Sequence, residues 1–355
     1  VNQRQDDKLA PVDALRRIAF LLERALEPSY RVRAFRRAAG AIEKLDPEEL
    51  ATLASSGRLR GLTGIGEVTE RVIVEALAGE VPVYLRRLEA TEGQPLAEGA
   101  AALRAALRGD CHTHSDWSDG GSPIAEMADA AIEIGHEYIV LTDHSPRLTV
   151  ANGLSPERLR EQLDLVARLN EQLATRSTAT GSGFRILTGI EVDILEDGAL
   201  DQEEELLDRL DLVVASVHSK LAMEPAAMTR RMVRAVRNPH TDVLGHPTGR
   251  LVTGGRGKRA ESRFDPEAVF SACAESGTAV EVNSRPERKD PPKRLLRLAI
   301  EAGCMLAIDT DAHAPGQLDW QPIGCERAAA CGAKPEMIVN TRGADELLAW
   351  TGATR

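Results

Sequence analysis

The sequence predicts an α/β protein, a seven-stranded (β/α)7 barrel preceded by a small all-α domain. Three observations carry that expectation. From Asp110 onward, short β-branched runs alternate with amphipathic helical stretches, the texture of right-handed β-α units around a parallel sheet. Residues 12–90 instead read as helix throughout. Between the two, the stretch TEGQPLAEGA at 91–100 is polar and carries glycine and proline, as linkers do. The expected divisions are therefore a helical domain at 1–90, a linker at 91–108 and a barrel at 109–355.

Composition sets outer limits on function. A chain of 355 residues has room for one large domain and one small one. Aromatic residues make up only 3%, so Ala, Val, Leu and Ile must fill the core. A formal charge of −11 argues against a surface coated for nonspecific nucleic-acid binding, although it leaves room for a local basic face. Five cysteines form no C-x-x-C and leave one over, which reads as a reducing compartment. The first residues, VNQRQDDKLAP, contain no apolar leader, and no apolar run reaches membrane-spanning length. A cytoplasmic protein with no membrane partner is expected.

The elements follow in order. Amphipathic periodicity predicts helices from Val12 to about Ala25, Tyr30 to Ile42 and Pro47 to Ser55. Gly64-Ile65-Gly66 then punctuates two more helical stretches ending near Ala78. In the barrel, strands are expected entering Cys111-His112 and at 138–141, 185–188, 212–217, 243–244, 279–282 and 305–308. Helices are expected between them at 156–173, 203–210, 227–237, 266–275 and 292–302. Seven repeats favour a closed barrel over an open doubly wound sheet. No G-x-G-x-x-G follows the first strand, so no nucleotide cofactor is expected.

The placement of histidines and acids is the most informative feature. The first strand runs into His112-Thr113-His114, with Asp119 five residues on, and the second into Asp143-His144. The third reaches Glu191, the fourth His218, the fifth His246, and the seventh Asp311 and His313. Six of the seven strands thus deliver His, Asp or Glu at the same end, where barrel loops converge on active sites. Imidazole with carboxylate suits zinc, manganese or iron. His112 and His114, two apart on extended backbone, project to one side and can share an ion. A single histidine after a strand is more often a cap or a surface residue, but of eight histidines only His136 and His240 fall outside the pattern. Those two read as structural.

The motifs CHTHSDWSD, VLTDHS, GIEVD, SVHS, LGHPTGR and IDTDAH, in this order, resemble the polymerase and histidinol phosphatase (PHP) family over about residues 110–345. That resemblance implies a distorted seven-stranded barrel with two to three divalent ions, Zn2+, Mn2+ or Fe2+. The ligands it implies are His112, His114, Asp119, His144, Glu191, His218, His246, Asp311 and His313. Asp119, where some members carry His, places the chain with the barrels attached to bacterial family X DNA polymerases. Residues 30–39 and the turn at 61–66 look like the small helical domain that opens those enzymes. Only a linker stands where they carry a polymerase palm, so no polymerase activity is expected.

Gly64-Ile65-Gly66 reads as a helix-hairpin-helix turn whose N–H groups can cradle a DNA phosphate, with a plain turn between packed helices as the alternative. Arg31, Arg33, Arg36 and Arg37 form a candidate phosphate-facing patch, or a solvated face. No lysine occurs between Lys44 and Lys220, so no Schiff-base lyase chemistry is expected. For the barrel, Glu191 is the candidate bridging carboxylate and Asp311 the candidate for orienting the attacking water. Lys220, Arg250 and Arg285 either bind the substrate phosphate or pair with acids of the mouth. The function expected is a phosphoesterase acting on DNA ends, as a 3′-to-5′ exonuclease or 3′-phosphatase. A small-molecule phosphatase acting on histidinol phosphate or nucleotides is the alternative, and a barrel that only binds is a third class, which the complete ligand set disfavours.

Overall fold

The computed structural model describes residues 9–93, 100–180, 183–254 and 257–354. The chain divides into two compact units, residues 1–95 and 96–355.

The first unit is all helix: α1 (Pro11–Arg24), α2 (Ser29–Ile42), α3 (Pro47–Ser55), α4 (Glu67–Leu77) and α5 (Val83–Glu92). Proline opens α1 and α3, where its missing N–H costs nothing. Helix α1 buries Leu15, Ile18 and Leu22, spaced along one face, and packs on α2, α4 and α5. Ile73 of α4 and Leu85 of α5 are buried in the same unit. The turn before α4 uses Gly64 at φ 98, a left-handed value that glycine takes without a Cβ penalty. The Gly66 N–H donates to Thr69 Oγ1 at 2.9 Å. The expected arginine patch is reduced: Arg36 is paired with Glu23 at 2.8 Å, and Arg31 with Glu27 at 2.5 Å and with the Tyr84 hydroxyl. Arg33 and Arg37 remain exposed.

The second unit begins with α6 (Ala101–Ala106), then alternates β1 (Gly109–Thr113), α7 (Ile124–Glu133), β2 (Tyr138–Leu141), α8 (Pro156–Thr180), β3 (Arg185–Asp193), α9 (Glu204–Leu207), β4 (Leu212–Ser216), α10 (Pro225–Val236), β5 (Val243–Leu244), α11 (Pro266–Ser276), β6 (Ala279–Asn283), α12 (Lys293–Glu301), β7 (Leu306–Asp309), α13 (Gln321–Ala329) and α14 (Ala344–Thr354). Among the described residues, seven strands pair in chain order, all parallel. A bridge between Thr113 and Ala312 and the bond from Cys111 N–H to Asp309 Oδ1 bring β1 to β7, so the barrel is nearly closed.

Alternation along the strands sorts the core into layers. Val213, Ala215, Val280, Val282, Leu306 and Ile308 belong to one buried cluster with residues of the surrounding helices, including Met228, Phe270 and Leu296. Leu212, Val214, Val243, Ala279 and Ala307 belong to a second cluster with Tyr138 and Leu347 of α14. Each buried Val, Leu, Ile, Phe or Met among them stabilises by about 1.5–3 kcal/mol. Further along the same parity, β3 reaches Glu191 and Asp193, β6 reaches Glu281 and Asn283, and β7 reaches Asp309. The interior therefore turns from apolar to polar toward the strands' C-terminal ends.

The linker expectation needs correction. Within 91–108, α6 buries Leu103 and shares the barrel's cluster with Ala100 and Leu107. Residues 94–99 of that segment lie outside the described residues. Among the described residues, no helix is long and apolar enough to cross a membrane.

Candidate active site

Glu191, at the end of β3, is 1% exposed and stands among imidazoles from four other strand ends. Its Oε2 lies 2.9 Å from His144 Nδ1, 3.3 Å from His112 Nε2 and 3.5 Å from His114 Nε2. Its Oε1 lies 2.9 Å from His246 Nε2 and 3.1 Å from His218 Nε2. Asp311 forms a second focus, with Oδ1 3.4 Å from His114 Nε2 and 3.5 Å from His313 Nδ1. Asp119 forms a third, its Oδ1 3.2 Å from His313 Nε2 and 3.4 Å from His144 Nε2. All nine residues that the family resemblance nominates are brought to one mouth.

Local structure explains how the strands present them. The register of β1 against β2 shifts between Asp110 and Thr113. His112 and His114, two apart on this stretch, both reach Glu191, with ring centroids 5.1 Å apart. Gly245 precedes His246 because a Cβ there would meet Ser216 Oγ at 2.1 Å and Val214 Cγ1 at 2.8 Å. Asp311 sits at φ 54, a left-handed conformation that is costly for a residue with a Cβ and that clusters at functional sites. Arg288 Nε at 3.0 Å and Asn283 Nδ2 at 3.2 Å hold its Oδ2.

The electrostatics are those of a crowded, largely buried centre. Burial would push the Glu191 carboxyl up, but the fields of His218, His112 and His144 outweigh it and hold it well below the usual range. Burial likewise opposes protonation of His144, yet Glu191 and Asp119 raise it to about 10. His114 falls to about 3 through burial and the neighbouring His313 and His144.

A metal fits these residues. Among the described residues, three overlapping groups could hold an ion: His114, Asp119, His144 and His313; His112, His114 and Glu191; and His144, Glu191 and His218. His246 and Asp311 stand outside those groups. His112 Nε2, both ring nitrogens of His114 and of His218, and Glu191 Oε2 are buried without a hydrogen-bond partner. Orphaned buried polar atoms are costly, and cations would satisfy them. The mixed nitrogen and oxygen donors suit zinc, manganese or iron.

The cations named from sequence are placed unequally. Arg285 reaches the centre, 3.3 Å from His313 Nδ1 and 3.4 Å from the Asp311 carbonyl, with its guanidinium over Trp320. Arg250 turns to the carbonyls of Arg288 and Lys289 and to Glu261, and Lys220 is exposed and joins none of these contacts. Arg288 is the cation that sequence reasoning missed. So were Glu281, 2.6 Å from His112 Nδ1, and Asp193, 3.5 Å from His218 Nδ1. Asp193 lies two residues beyond Glu191, on the same face of β3, and that spacing was the available signal.

Comparison with known proteins agrees with this geometry. Residues 110–285 match the PHP domain and residues 7–81 a helix-hairpin-helix domain. The DNA polymerase/3'-5' exonuclease PolX of Bacillus subtilis is 38% identical over 244 residues, 69% of this chain. The chain covers 41% of that relative, less than half its length. A protein of Caldanaerobacter subterraneus named a probable phosphatase is 30% identical over 229 residues, 61% of this chain and 79% of that protein. The crystal structure of a histidinol phosphate phosphatase from Lactococcus lactis, complexed with zinc, L-histidinol and phosphate, superposes with a TM-score of 0.46 at 19% identity, covering 64% of this chain and 95% of that one. The motifs in order, the match to the PHP domain and the 30% identity to the Caldanaerobacter protein make the chain a member of the PHP domain family of phosphoester hydrolases.

Proposed function

We propose that this hydrolase acts on the ends of DNA strands, as a 3′-to-5′ exonuclease or 3′-phosphatase, using two to three divalent ions of zinc, manganese or iron. The observation that carries the metal reading is Glu191, buried among imidazoles from four other strand ends, with one of its oxygens left without a hydrogen bond. The helix-hairpin-helix match at 7–81 and the exonuclease named among the relatives support DNA as substrate. Five free cysteines suit a reducing cytoplasm.

When bound, such cations acidify water and neutralise charge on the transferring phosphoryl group. The nine His, Asp and Glu residues of the mouth would hold them. Glu191 presents its two oxygens to different rings, as a bridging carboxylate must. Asp311 Oδ1 faces His114 and His313 and is the atom placed to orient the attacking water. Arg285 and Arg288 offer guanidinium N–H groups to phosphoryl oxygens, geometry that Lys220 and Arg250 do not share.

Replacing His112 or Asp311 with Ala should abolish phosphate release and lower bound metal while the circular dichroism spectrum is kept. Full turnover by metal-free protein would overturn the reading.

A second reading, a small-molecule phosphatase for histidinol phosphate or a nucleotide, is favoured by the ion pairs that tie up Arg31 and Arg36 in the helical unit. Removing residues 1–95 separates the two. DNA cleavage should fall relative to that of a generic phosphoester under the first reading, and under the second the truncation should leave phosphoester hydrolysis and that ratio unchanged.

A further inference from the structure

The barrel mouth is electrically lopsided. From the end of β3 into α9, residues 194–205 hold Glu196, Asp197, Asp201, Glu203, Glu204 and Glu205 and no lysine or arginine. The loops that follow β5 and β6, on the other side of the strand order, are the reverse. Among the described residues, 248–263 carry Arg250, Lys258, Arg259 and Arg263 against Glu261 alone, and residues 284–294 carry five cations against Glu287 and Asp290. In a chain of net charge −11, that concentration is local and one-sided.

The two basic loops are joined into one platform. Leu251 and Arg259 pair antiparallel, each N–H 3.0 Å from the other's carbonyl. The Val252 N–H donates to the Glu287 carbonyl at 2.7 Å, and Arg250 Nε donates to the Arg288 carbonyl at 3.2 Å. The platform's own carboxylates are already engaged: Glu261 by Arg250 and Arg294, Glu287 by Arg285, and Asp290 by Thr248. Lys258, Lys289 and Lys293 are exposed, and among the described residues no carboxylate pairs with them. The inner end of the same surface is Arg288, 3.0 Å from Asp311. Positive charge therefore leads from the buried centre to solvent along one side.

We infer that the loops after β5 and β6 are the docking surface for the phosphodiester chain of a single-stranded nucleic acid whose end enters the catalytic mouth. This rests on the phosphoesterase reading of that mouth. A chain of phosphates is drawn to the basic side and repelled from the acidic one, which fixes the direction in which the strand leaves the centre. Glu191 and Asp311 are each 1% exposed, so a frayed single strand reaches them where a blunt duplex does not.

The test compares the full chain with the triple variant Lys258→Ala, Lys289→Ala, Lys293→Ala. Binding of a labelled single strand of about 12 nucleotides is measured between about 50 and 300 mM salt, where each lost phosphate contact removes roughly 0.7 from the log–log salt slope. Hydrolysis of the same strand is compared with that of a nucleoside monophosphate. The expected result is about tenfold weaker binding, a slope shallower by about 2, and a fall in the ratio of kcat/KM for the strand over the monophosphate. A matched variant, Arg168→Ala, Arg209→Ala, Lys334→Ala, removes as much charge away from the platform and should change none of these. An unchanged slope in the first variant, or an equal loss in the second, overturns the inference. If the wild-type chain hydrolyses no phosphoester with any metal yet loses strand binding in the platform variant, the docking surface stands and the catalytic reading falls.

Discussion

Glu281 Oε1 lies 2.6 Å from His112 Nδ1, with both side chains fully buried. A carboxylate at that distance fixes the proton on Nδ1 and leaves the Nε2 lone pair facing Glu191 and Asp311, 3.3 and 3.9 Å away. Such a partner orients the ring and raises its basicity toward a cation, and its loss typically costs 10–100-fold in metal affinity. Glu281→Gln keeps the shape and removes the charge. Calorimetric titration of the metal-free protein with Zn2+ or Mn2+ should show affinity lower by about 10–100-fold. An unchanged isotherm would mean that Glu281 only fills space.

The protonation of the centre gives a second prediction. Burial opposes charging of His112 and His218, but Glu191 outweighs it for both, and His144 is carried to about 10 in the same way. Without metal the His144 ring holds a proton at neutral pH, and a ring nitrogen that coordinates must lose its own. Metal uptake at pH 7 should release protons, and affinity should rise with pH up to about 10. Calorimetry in two buffers of different ionisation enthalpy reads the release directly. Binding heats independent of buffer would contradict it.

The legible part of the fold and the illegible part differ in physical kind. Strands such as β2, β4 and β5 announce themselves because burial on both faces demands unbroken β-branched or aliphatic runs. The histidines are legible because they sit at the ends of those runs, where chain order alone places them at one mouth. Glu281 is less legible, since nothing local distinguishes a buried carboxylate that aligns a ring from one that pairs with a cation. Arg288 and Arg250 show the limit most clearly. Both lie in loops, and which guanidinium turns inward depends on where the carbonyls of a second loop happen to be. The helix α6 was hidden for a different reason: six residues give too few turns for periodicity to register.

Gly245 offers a test of how tightly the strands place His246. Its substitution by Ala drives a Cβ to 2.1 Å from Ser216 Oγ and 2.8 Å from Val214 Cγ1. Overpacking of this kind costs about 1–3 kcal/mol, and what rotation of the Ser216 and Val214 side chains does not relieve falls on the spacing of β5 from β4, and so on His246. Gly245→Ala should unfold at lower urea concentration and bind metal less tightly. Adding Ser216→Ala removes the nearer clash and should restore part of both losses. A fully stable Gly245→Ala variant would show that β5 has slack.

His136, outside the active site, should make the fold acid-sensitive. It is 5% exposed, and neither ring nitrogen has a hydrogen-bond partner. Burial, with a smaller contribution from Arg104, lowers its pKa to about 3. The unfolded chain takes up this proton near its ordinary value of about 6.5, whereas the folded chain refuses it. The stabilisation is therefore complete above that pH and is lost as pH falls toward 3, at about 1.4 kcal/mol per pH unit. His136→Gln removes the titration while keeping a polar side chain. The stability of wild type relative to this variant, from urea unfolding at a series of pH values, should be constant above about pH 7 and decline steadily below 6. Taking the difference cancels the titration of the metal-centre groups that both proteins share. A difference that stays flat down to pH 4 would show that His136 is protonated in the folded state after all, with an acceptor the native packing does not supply.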